Sequence, residues 1–166
     1  MAVDMFLKID GIDGESAREG KEKWIEVLSY SWGLTDTTNA TSQPGKLSPA
    51  TRKTQVSDFL IVKALDTASP ALFEKACEGA HIGELNFSLV RAGDLKVGQE
   101  FYKIKFEDVL ISSVSSAGAA GGSLPMEQVS FSFGSSLITA TDDRGNVKSV
   151  ASCGAASFDG PVLEKR

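Results

Sequence analysis

Histidine and cysteine are scarce in this chain of 166 residues, which contains one His and two Cys. With a single His, the Cys and His spacing of a zinc site is absent. Cys77 and Cys153 lie far apart in the sequence, and we expect both to be free thiols. His81 has no nucleophile motif beside it, which favours a role in a loop or at a helix end over catalysis.

Basic residues do not outnumber acidic ones, and long apolar runs are missing. The 17 Lys and Arg residues face 22 Asp and Glu residues without a dense basic patch, which argues against nucleic acid and anionic membranes as partners. Because no window approaches the roughly 18 apolar residues of a spanning helix, we expect no membrane insertion. The start, Met1–Asp4, carries an acid where a secretory signal would be basic, which predicts synthesis in the cytoplasm without a cleaved signal peptide.

The composition that is present favours β-structure. The chain has 16 Gly, is 42% hydrophobic, and contains many short runs of Val, Ile, Phe, Ser and Thr. Such runs, separated by turn residues, predict a mainly β protein with many short strands. The length and hydrophobic content predict one domain over residues 1–166.

The segment from Lys23 to Gly33 is the most aromatic part of the chain and predicts one long strand. Residues of one parity are large and predict a core face: Trp24, Leu28, Tyr30 and Trp32. The other parity carries an apolar pair and then a hydroxyl pair: Ile25, Val27, Ser29 and Ser31. Because this second set suits neither plain solvent nor a second core, we expect it to face a neighbouring molecule or a ligand.

Further strands and one helix follow from apolar spacing and capping residues. Alternation predicts strands over residues 3–9, 83–91 and 99–111, and residues 54–65 predict a strand whose apolar middle is buried on both faces. A change of apolar parity near Glu107 and Asp108 indicates a bulge. Ser69, as N-cap, and Pro70 predict the start of a helix that ends before Gly79. One apolar stripe is expected to pack this helix on the sheet: Leu72, Phe73, Ala76 and Cys77.

Three segments consist mainly of loop-forming residues. Residues 35–51 have almost no large apolar side chain and predict an extended loop that a partner orders. Residues 112–123 are rich in Ser, Gly and Ala but lack the Lys of a phosphate-binding loop. They form either a flexible hairpin tip or a surface that another backbone can approach closely. Residues 142–166 predict a turn followed by a C-terminal strand or tail.

Several segments, taken in chain order, resemble the haemolysin-coregulated protein family, the inner-tube subunit of bacterial type VI secretion. The resemblance lies in residues 1–9 (MAVDMFLKI), 13–16 (DGES), 24–33 (WIEVLSYSWG), 63–76 (KALDTASPALFEKA), 109–118 (VLISSVSSAG) and 129–133 (VSFSF). It implies a small β-barrel of two antiparallel sheets with one flanking α-helix. It also implies that six copies close into a ring around a wide channel.

The resemblance further implies a function in protein secretion. Rings of this family stack into a tube that a contractile sheath drives out of the cell behind a valine-glycine-repeat spike protein, and toxin effectors travel in some channels. Ser31 occupies a position that faces the channel in the family, and Ser29 shares its parity. We expect Ile25 and Val27 in the interface within a ring. Ring stacking is expected to use two groups: Pro44, Gly45 and Ser48, and Gly118, Gly121 and Gly122.

Two other function classes stay open at the level of sequence. A small-molecule or sugar-binding β-barrel would expose aromatic residues in a concave patch, whereas most aromatics here have core parity. A hydrolase would need a Ser/His/Asp order, paired carboxylates or a metal cluster, and the sequence offers no such motif. We therefore expect a structural subunit that is not an enzyme and uses no cofactor.

Overall fold

The computed structural model describes residues 2–38, 52–92, 99–142 and 144–154, and most of them are in β-strands. The elements are β1 Val3–Ile9, β2 Ile25–Val27, β3 Ser29–Ser31, β4 Leu34–Thr38, β5 Arg52–Val56, β6 Phe59–Ala64, α1 Ser69–Glu78, β7 Ile82–Arg91, β8 Glu100–Ala117, β9 Met126–Thr141 and β10 Val147–Gly154. None of the helical residues in these ranges forms a segment with the length and apolarity that a bilayer-spanning helix requires.

Eight strands form one antiparallel sheet that curls into a nearly closed barrel. Their order is β2-β1-β7-β8-β9-β6-β3, and β10 pairs with the second half of β9. The strands at the two ends of this order, β2 and β3, are consecutive in the chain and are separated only by Leu28. The Leu28 N–H donates to the Val62 carbonyl on β6 (2.8 Å). The predicted mainly β barrel with one helix is thus confirmed.

An aromatic cluster fills the barrel. Phe59 is fully buried, and its ring centroid lies 4.8 Å from that of Phe106 and 5.1 Å from that of Phe87. Tyr30 packs on Phe87 (4.7 Å), and Trp32 meets Phe106 edge-on (5.5 Å). Such aromatic pairs add to the stabilisation from burial, so this cluster holds the two halves of the barrel together.

The predicted outward position of Ile25 and Val27 is wrong. Their side chains are 0% and 6% exposed and belong to the barrel core, whereas Leu28 is 50% exposed. The reason is that the segment changes partner at Leu28: β2 pairs with β1, and β3 pairs with β6. The inward parity changes with the partner, so Ile25 and Val27 point inward before Leu28, and Tyr30 points inward after it. Ile25 therefore has no free surface for a neighbouring subunit, and Val27 has only the 6% that remains exposed.

Helix α1 confirms some predicted features and corrects others. Gly79 ends it in the left-handed conformation (φ 61°), as predicted. The N-cap is Ala68 rather than Ser69, and Leu72 is fully buried. Phe73, however, is 60% exposed, and Cys77 is an exposed free thiol. Successive residues of a helix differ by about 100° in direction, so the Leu72 side chain faces the barrel while the Phe73 side chain faces out.

The loop and bulge predictions need smaller corrections. Thr35–Thr38 is not a loop but part of β4, which pairs with β5, and residues 39–51 lie outside the described residues. The predicted strand over 54–65 is interrupted between β5 and β6, and β6 alternates between buried and half-buried positions instead of being buried on both faces. Asp108 has a positive φ of 54° where the bulge was predicted, but the register with β9 shifts later, between Ile111 and Ser113. Residues 93–98 and the tail 155–166 are also outside the described part.

Candidate assembly and channel surfaces

Ser29 and Ser31 point away from the barrel core. Both are exposed, while Tyr30 between them directs its ring inward onto Phe87. The pairing of β3 with β6 places Ser29 opposite Val62 and Ser31 opposite Leu60. The two serines therefore lie on one outward face, and their place in a channel stays a prediction.

This outward face continues across four neighbouring strands, β3, β6, β9 and β8. In the ladder, Leu60 lies between Ser31 and Ser130, which in turn lies opposite Ser113. In the next row, Val62 and Gln128 lie opposite each other, with Ser29 on the far side of Val62 and Ser115 on the far side of Gln128. We call this surface the neutral face, because each of its side chains is uncharged: Ser29, Ser31, Leu60, Val62, Ala64, Ser113, Ser115, Ala117, Met126, Gln128 and Ser130.

Charged residues on the same strands point inward and form a buried cluster. The Lys63 Nζ lies 2.7 Å from the Asp66 Oδ1 and 2.9 Å from the Glu127 Oε2, and it is fully buried. It also donates to the Ser69 Oγ (3.0 Å), which donates to the Glu127 Oε2 (2.8 Å). A buried charge is tolerated only when it is paired and hydrogen-bonded. The cluster therefore ties β6, β9 and the start of α1 together beneath the neutral face.

Another side of the barrel carries charges at its outward positions. The Lys105 Nζ lies 3.1 Å from the Glu107 Oε1 and 3.4 Å from the Glu84 Oε2. A hydrogen bond from Asn86 holds the pKa of Glu84 below its usual value. We call this surface, formed by β1, β7 and the first part of β8, the charged face: Lys8, Glu84, Asn86, Lys103, Lys105 and Glu107. The barrel thus presents two chemically different sides.

Residues 16–24 cover the part of the sheet next to the charged face. The Lys21 ammonium lies 3.9 Å from the centre of the Trp24 ring and 2.6 Å from the Glu100 Oε2, which also accepts from Ser88. Burial would raise the pKa of Glu100, but the hydrogen bonds from Lys21 and Ser88 outweigh burial and the pKa is lowered. Glu100 is therefore a carboxylate that the fold stabilises in its charged form.

The neutral face is bounded on both sides by unpaired strand edges. At one side, β3 pairs with no strand other than β6 among residues 2–38, 52–92, 99–142 and 144–154. At the other side, the pairing of β8 with β7 ends at Val109. Within the described residues, Ser113–Ala117 therefore pair only with β9. A groove of about 450 Å³ lies along β1 and β2 and is lined by Val3, Asp4, Met5, Phe6, Arg18, Glu26, Val27 and Leu28. Unpaired edges are sites where another strand can add.

A two-stranded arm extends from the end of β3. It consists of β4 and β5, which pair only with each other in the described part of the chain. At its base, the Ser57 Oγ accepts from the Gly33 N–H (2.7 Å), and the Ser57 N–H donates to the Gly33 carbonyl (2.8 Å). Leu34 is 59% exposed. The predicted stacking residues Pro44, Gly45 and Ser48 lie outside the described residues.

The turn between β8 and β9 forms a second projection. Gly118, Gly121 and Gly122 are all exposed, and a Cβ on Gly118 would lie only 3.1 Å from the Pro125 Cβ. Leu124 is 72% exposed. This hairpin tip and the arm lie at opposite ends of β6, because β6 begins next to the arm and ends opposite Met126, where the tip begins.

Sequence reasoning missed the apolar members of the neutral face. The alternation of buried and half-buried residues in β6 contained the signal, because Leu60 and Val62 share a parity that Phe59 and Ile61 do not. The sequence predicts burial of β6 on both faces, because its run of Phe, Leu, Ile and Val contains no polar residue that marks the outward side. Among the described residues, Tyr30 and Trp32 belong to the aromatic cluster of the barrel, and Phe6 is the aromatic residue that lines the groove along β1 and β2.

Comparisons with known proteins agree on one family. The model of the family described as "Type VI secretion system effector, Hcp" matches residues 6–139. The protein Hcp1 of Pseudomonas aeruginosa is 32% identical over 133 residues, which cover 80% of each chain. A type VI secretion system effector from Yersinia pestis has a similar structure (TM-score 0.73, 32% identity, 91% of this chain and 99% of that one). Hcp1 from Salmonella typhimurium is comparable (TM-score 0.72, 30% identity, 93% and 95%).

Proposed function

This chain belongs to the Hcp family of the type VI secretion system, and we propose that it assembles into homo-hexameric rings that stack as a secretion tube. In this proposal the rings leave the cell through the type VI apparatus, and effectors travel in their channel. The chain then acts as a structural subunit without catalytic activity. A contractile sheath and a valine-glycine-repeat spike protein are its further partners.

The observation that carries the proposal is the neutral face with an unpaired strand edge on each side. If the β3 edge of one subunit pairs with Ser113–Ala117 of the next, the four-stranded neutral faces join into one continuous sheet. A head-to-tail contact of this kind uses two different patches of each subunit and closes into a ring when the rotation is right. Closure would place the neutral face on the inside, where Ser29 and Ser31 would line the channel.

Strand spacing gives the size of such a ring. Six copies of four strands make about 24 strands, and neighbouring strands are about 4.8 Å apart, so the circumference is about 115 Å. The corresponding diameter is about 37 Å for upright strands, and strand tilt increases it. Strands tilted by about 40° give a diameter of about 48 Å. Less the side chains, this accommodates a small folded domain, because a radius of gyration of about 13 Å for 100 residues corresponds to a sphere about 34 Å across. The proposed closure is therefore compatible with folded effectors.

Proline substitution at the β8 edge tests the ring. Alternate N–H groups of an edge strand point to solvent, so one of the variants Ser115→Pro and Ser116→Pro loses only an outward N–H. We expect that variant to keep the wild-type melting temperature and to sediment as a monomer, because its edge can no longer pair. The other variant should lose stability, since its N–H serves the ladder with β9.

The edge strand β10 supplies the matched control. One of Val150→Pro and Ala151→Pro also loses only an outward N–H, but β10 lies outside the proposed ring contact. That control should still form rings in sedimentation velocity. A stable β8-edge variant that still sediments as a hexamer would show that the ring closes elsewhere.

Ring stacking is the second part of the proposal, and it rests on the two projections at opposite ends of β6. When rings stack in one orientation, the arm of each subunit meets the hairpin tip of the next ring. A two-stranded hairpin is only marginally stable by itself, so the arm gains order when it lies against another surface. Gly118, Gly121 and Gly122 would let that surface approach closely.

A deletion of residues 40–46 tests stacking separately from ring closure. We expect the deletion variant to keep its ring size in light scattering and to form no tubes in electron microscopy. Loss of the hexamer would assign the deleted residues to the ring contact, and intact tubes would remove them from stacking.

A further inference from the structure

We propose that the channel wall holds its passengers through uncharged, mainly apolar contacts, with Leu60 and Val62 as the residues that select them. This inference rests on the proposed function, because it takes the neutral face as the channel wall. The passenger is then a protein with an uncharged apolar patch on its surface. Its net charge, acidic or basic, is of little importance for binding.

The position of Leu60 and Val62 supports this role. Both side chains are half-buried on the strand next to β3, and each has a serine beside it on β3. Across the ladder, Leu60 meets Ser130 and Val62 meets Gln128. Because the hydroxymethyl groups of the neighbouring serines are shorter, they leave the branched side chains of Leu60 and Val62 open to contact with a passenger.

Six copies would arrange these residues as two apolar belts. Residues i and i+2 of a strand are about 6.7 Å apart, so the Leu60 belt and the Val62 belt would lie next to each other. Met126, which is 40% exposed and pairs with Ala64, extends the apolar area toward one end of the face. Each contact is small, but a passenger inside a ring meets the same contact from several directions, and such multivalency strengthens binding.

The charge distribution supports the same conclusion. The chain has a net charge of −5, yet the ionised groups of β6 and β9 point inward, where Lys63 pairs with Glu127. The ion pairs of Lys105, on the first part of β8, and of Lys8, on β1, lie outside the neutral face. The carboxylate of Asp58 lies at one end of this face, where the Ser112 Oγ donates to it (2.7 Å). The rows of Leu60 and Val62 carry no ionised side chain, so they neither attract nor repel a charged passenger strongly. Binding should therefore respond weakly to salt, which screens charge–charge interactions.

Fluorescence anisotropy with short labelled peptides tests the inference on the full-length protein. The probes are a neutral peptide of Leu, Ser and Gly, and two matched peptides in which Glu or Lys replaces Ser. We expect the neutral peptide to bind wild-type rings with an affinity that changes less than about twofold between about 0.05 M and 0.5 M NaCl, across which the Debye length falls severalfold. The double variant Leu60→Ser/Val62→Ser should bind it at least about tenfold more weakly, because two apolar contacts are lost.

Two further variants serve as a control outside the neutral face and as a substitution that preserves side-chain shape. Leu137→Ser removes a side chain that is 37% exposed on β9 outside the neutral face, and it should bind the peptide as the wild type does. Val62→Thr preserves the shape and should weaken binding even if the double variant no longer forms rings. Unchanged binding by ring-forming Leu60 and Val62 variants would overturn the inference, as would a strong salt dependence for the neutral peptide. A wild-type protein that sediments as a monomer would instead overturn the proposed function, and the inference with it.

Discussion

The side chain of Asp108 lies directly over Gly134 on the neighbouring strand. A Cβ built on Gly134 would be 3.1 Å from both the Cβ and the Oδ2 of Asp108. Asp108 has a positive φ of 54°, and its Oδ1 lies 2.9 Å from the Nδ1 of His81. The side chain held by the left-handed backbone of one strand thus leaves little room for a side chain at Gly134 on the other.

This relationship predicts a strong coupling between the two positions. Gly134→Ala should lower the free energy of unfolding by about 1–3 kcal/mol, because overpacking forces neighbouring groups to shift. In the background of Asp108→Gly the same substitution should be neutral or stabilising, since the obstructing side chain is gone and Ala suits a strand better than Gly. Urea unfolding of the four proteins measures the cycle. Equal effects of Gly134→Ala in both backgrounds would show that Asp108 does not restrict position 134.

Gly14 is a second glycine whose side-chain position is occupied. A Cβ there would lie 2.4 Å from the Trp24 carbonyl oxygen and 2.6 Å from the Ile25 nitrogen, and both are backbone atoms. We expect Gly14→Ala to lower the melting temperature by many degrees, because the turn cannot keep its contact with the strand. Gly33→Ala is the control, since its Cβ would meet only the Ser57 Oγ at 3.9 Å. Similar melting temperatures for the two variants would contradict the close contact at Gly14.

The buried Lys63 cluster predicts a large and asymmetric effect of substitution. Lys63→Met should cost about 3–5 kcal/mol, because it leaves the Asp66 and Glu127 carboxylates without a cation in a buried site. The double variant Lys63→Met/Glu127→Leu should recover part of this loss. Lys8→Met breaks the exposed pair with Asp13 and should cost no more than about 1 kcal/mol. Denaturant unfolding measures all three, and equal costs at Lys63 and Lys8 would mean that the cluster is not buried as described.

Glu100 predicts a contribution to acid stability. Its pKa is lowered below the ordinary value of 4.5, so the folded protein binds its proton less readily than the unfolded chain does. The resulting stabilisation is fully present above about pH 4.5 and is lost as the pH falls through the lowered pKa. Glu100→Gln should therefore make the decline of unfolding free energy below this pH less steep. Glu84→Gln, at a more exposed site, should alter the curve less, and an unchanged curve for Glu100→Gln would refute the contribution.

Sequence patterns predicted those features that depend on neighbouring residues in the chain. The end of α1 at Gly79 follows from a local backbone conformation, and the strand alternation of β7 follows from its own side chains. The inward position of Ile25 could not be predicted in this way. It depends on where the segment changes its partner strand, and that point is set by contacts with β1 and β6, which are distant in sequence.

The candidate surfaces likewise combine features that follow from local sequence patterns with features that depend on contacts between distant residues. The serines of β3 were recognisable from parity alone, but their continuation onto β9 and β8 depends on the ladder register. The pairing of Lys63 with Glu127 was equally invisible, because a lysine in an apolar strand gives no sign of its distant partner. The exposure of Phe73 reflects how α1 is rotated against the barrel, which the spacing of apolar residues fixed only in part.

The arm and the hairpin tip lie at opposite ends of β6, and in the proposed stack this placement would give the filament a direction. One terminus of a stack would present only arms, and the other only tips. A protein that caps one terminus could not cap the other by the same contacts, and incoming rings would add to the two termini at different rates. Growth from a single starting platform toward a single cap would then follow from the subunit itself, without any external mark of orientation.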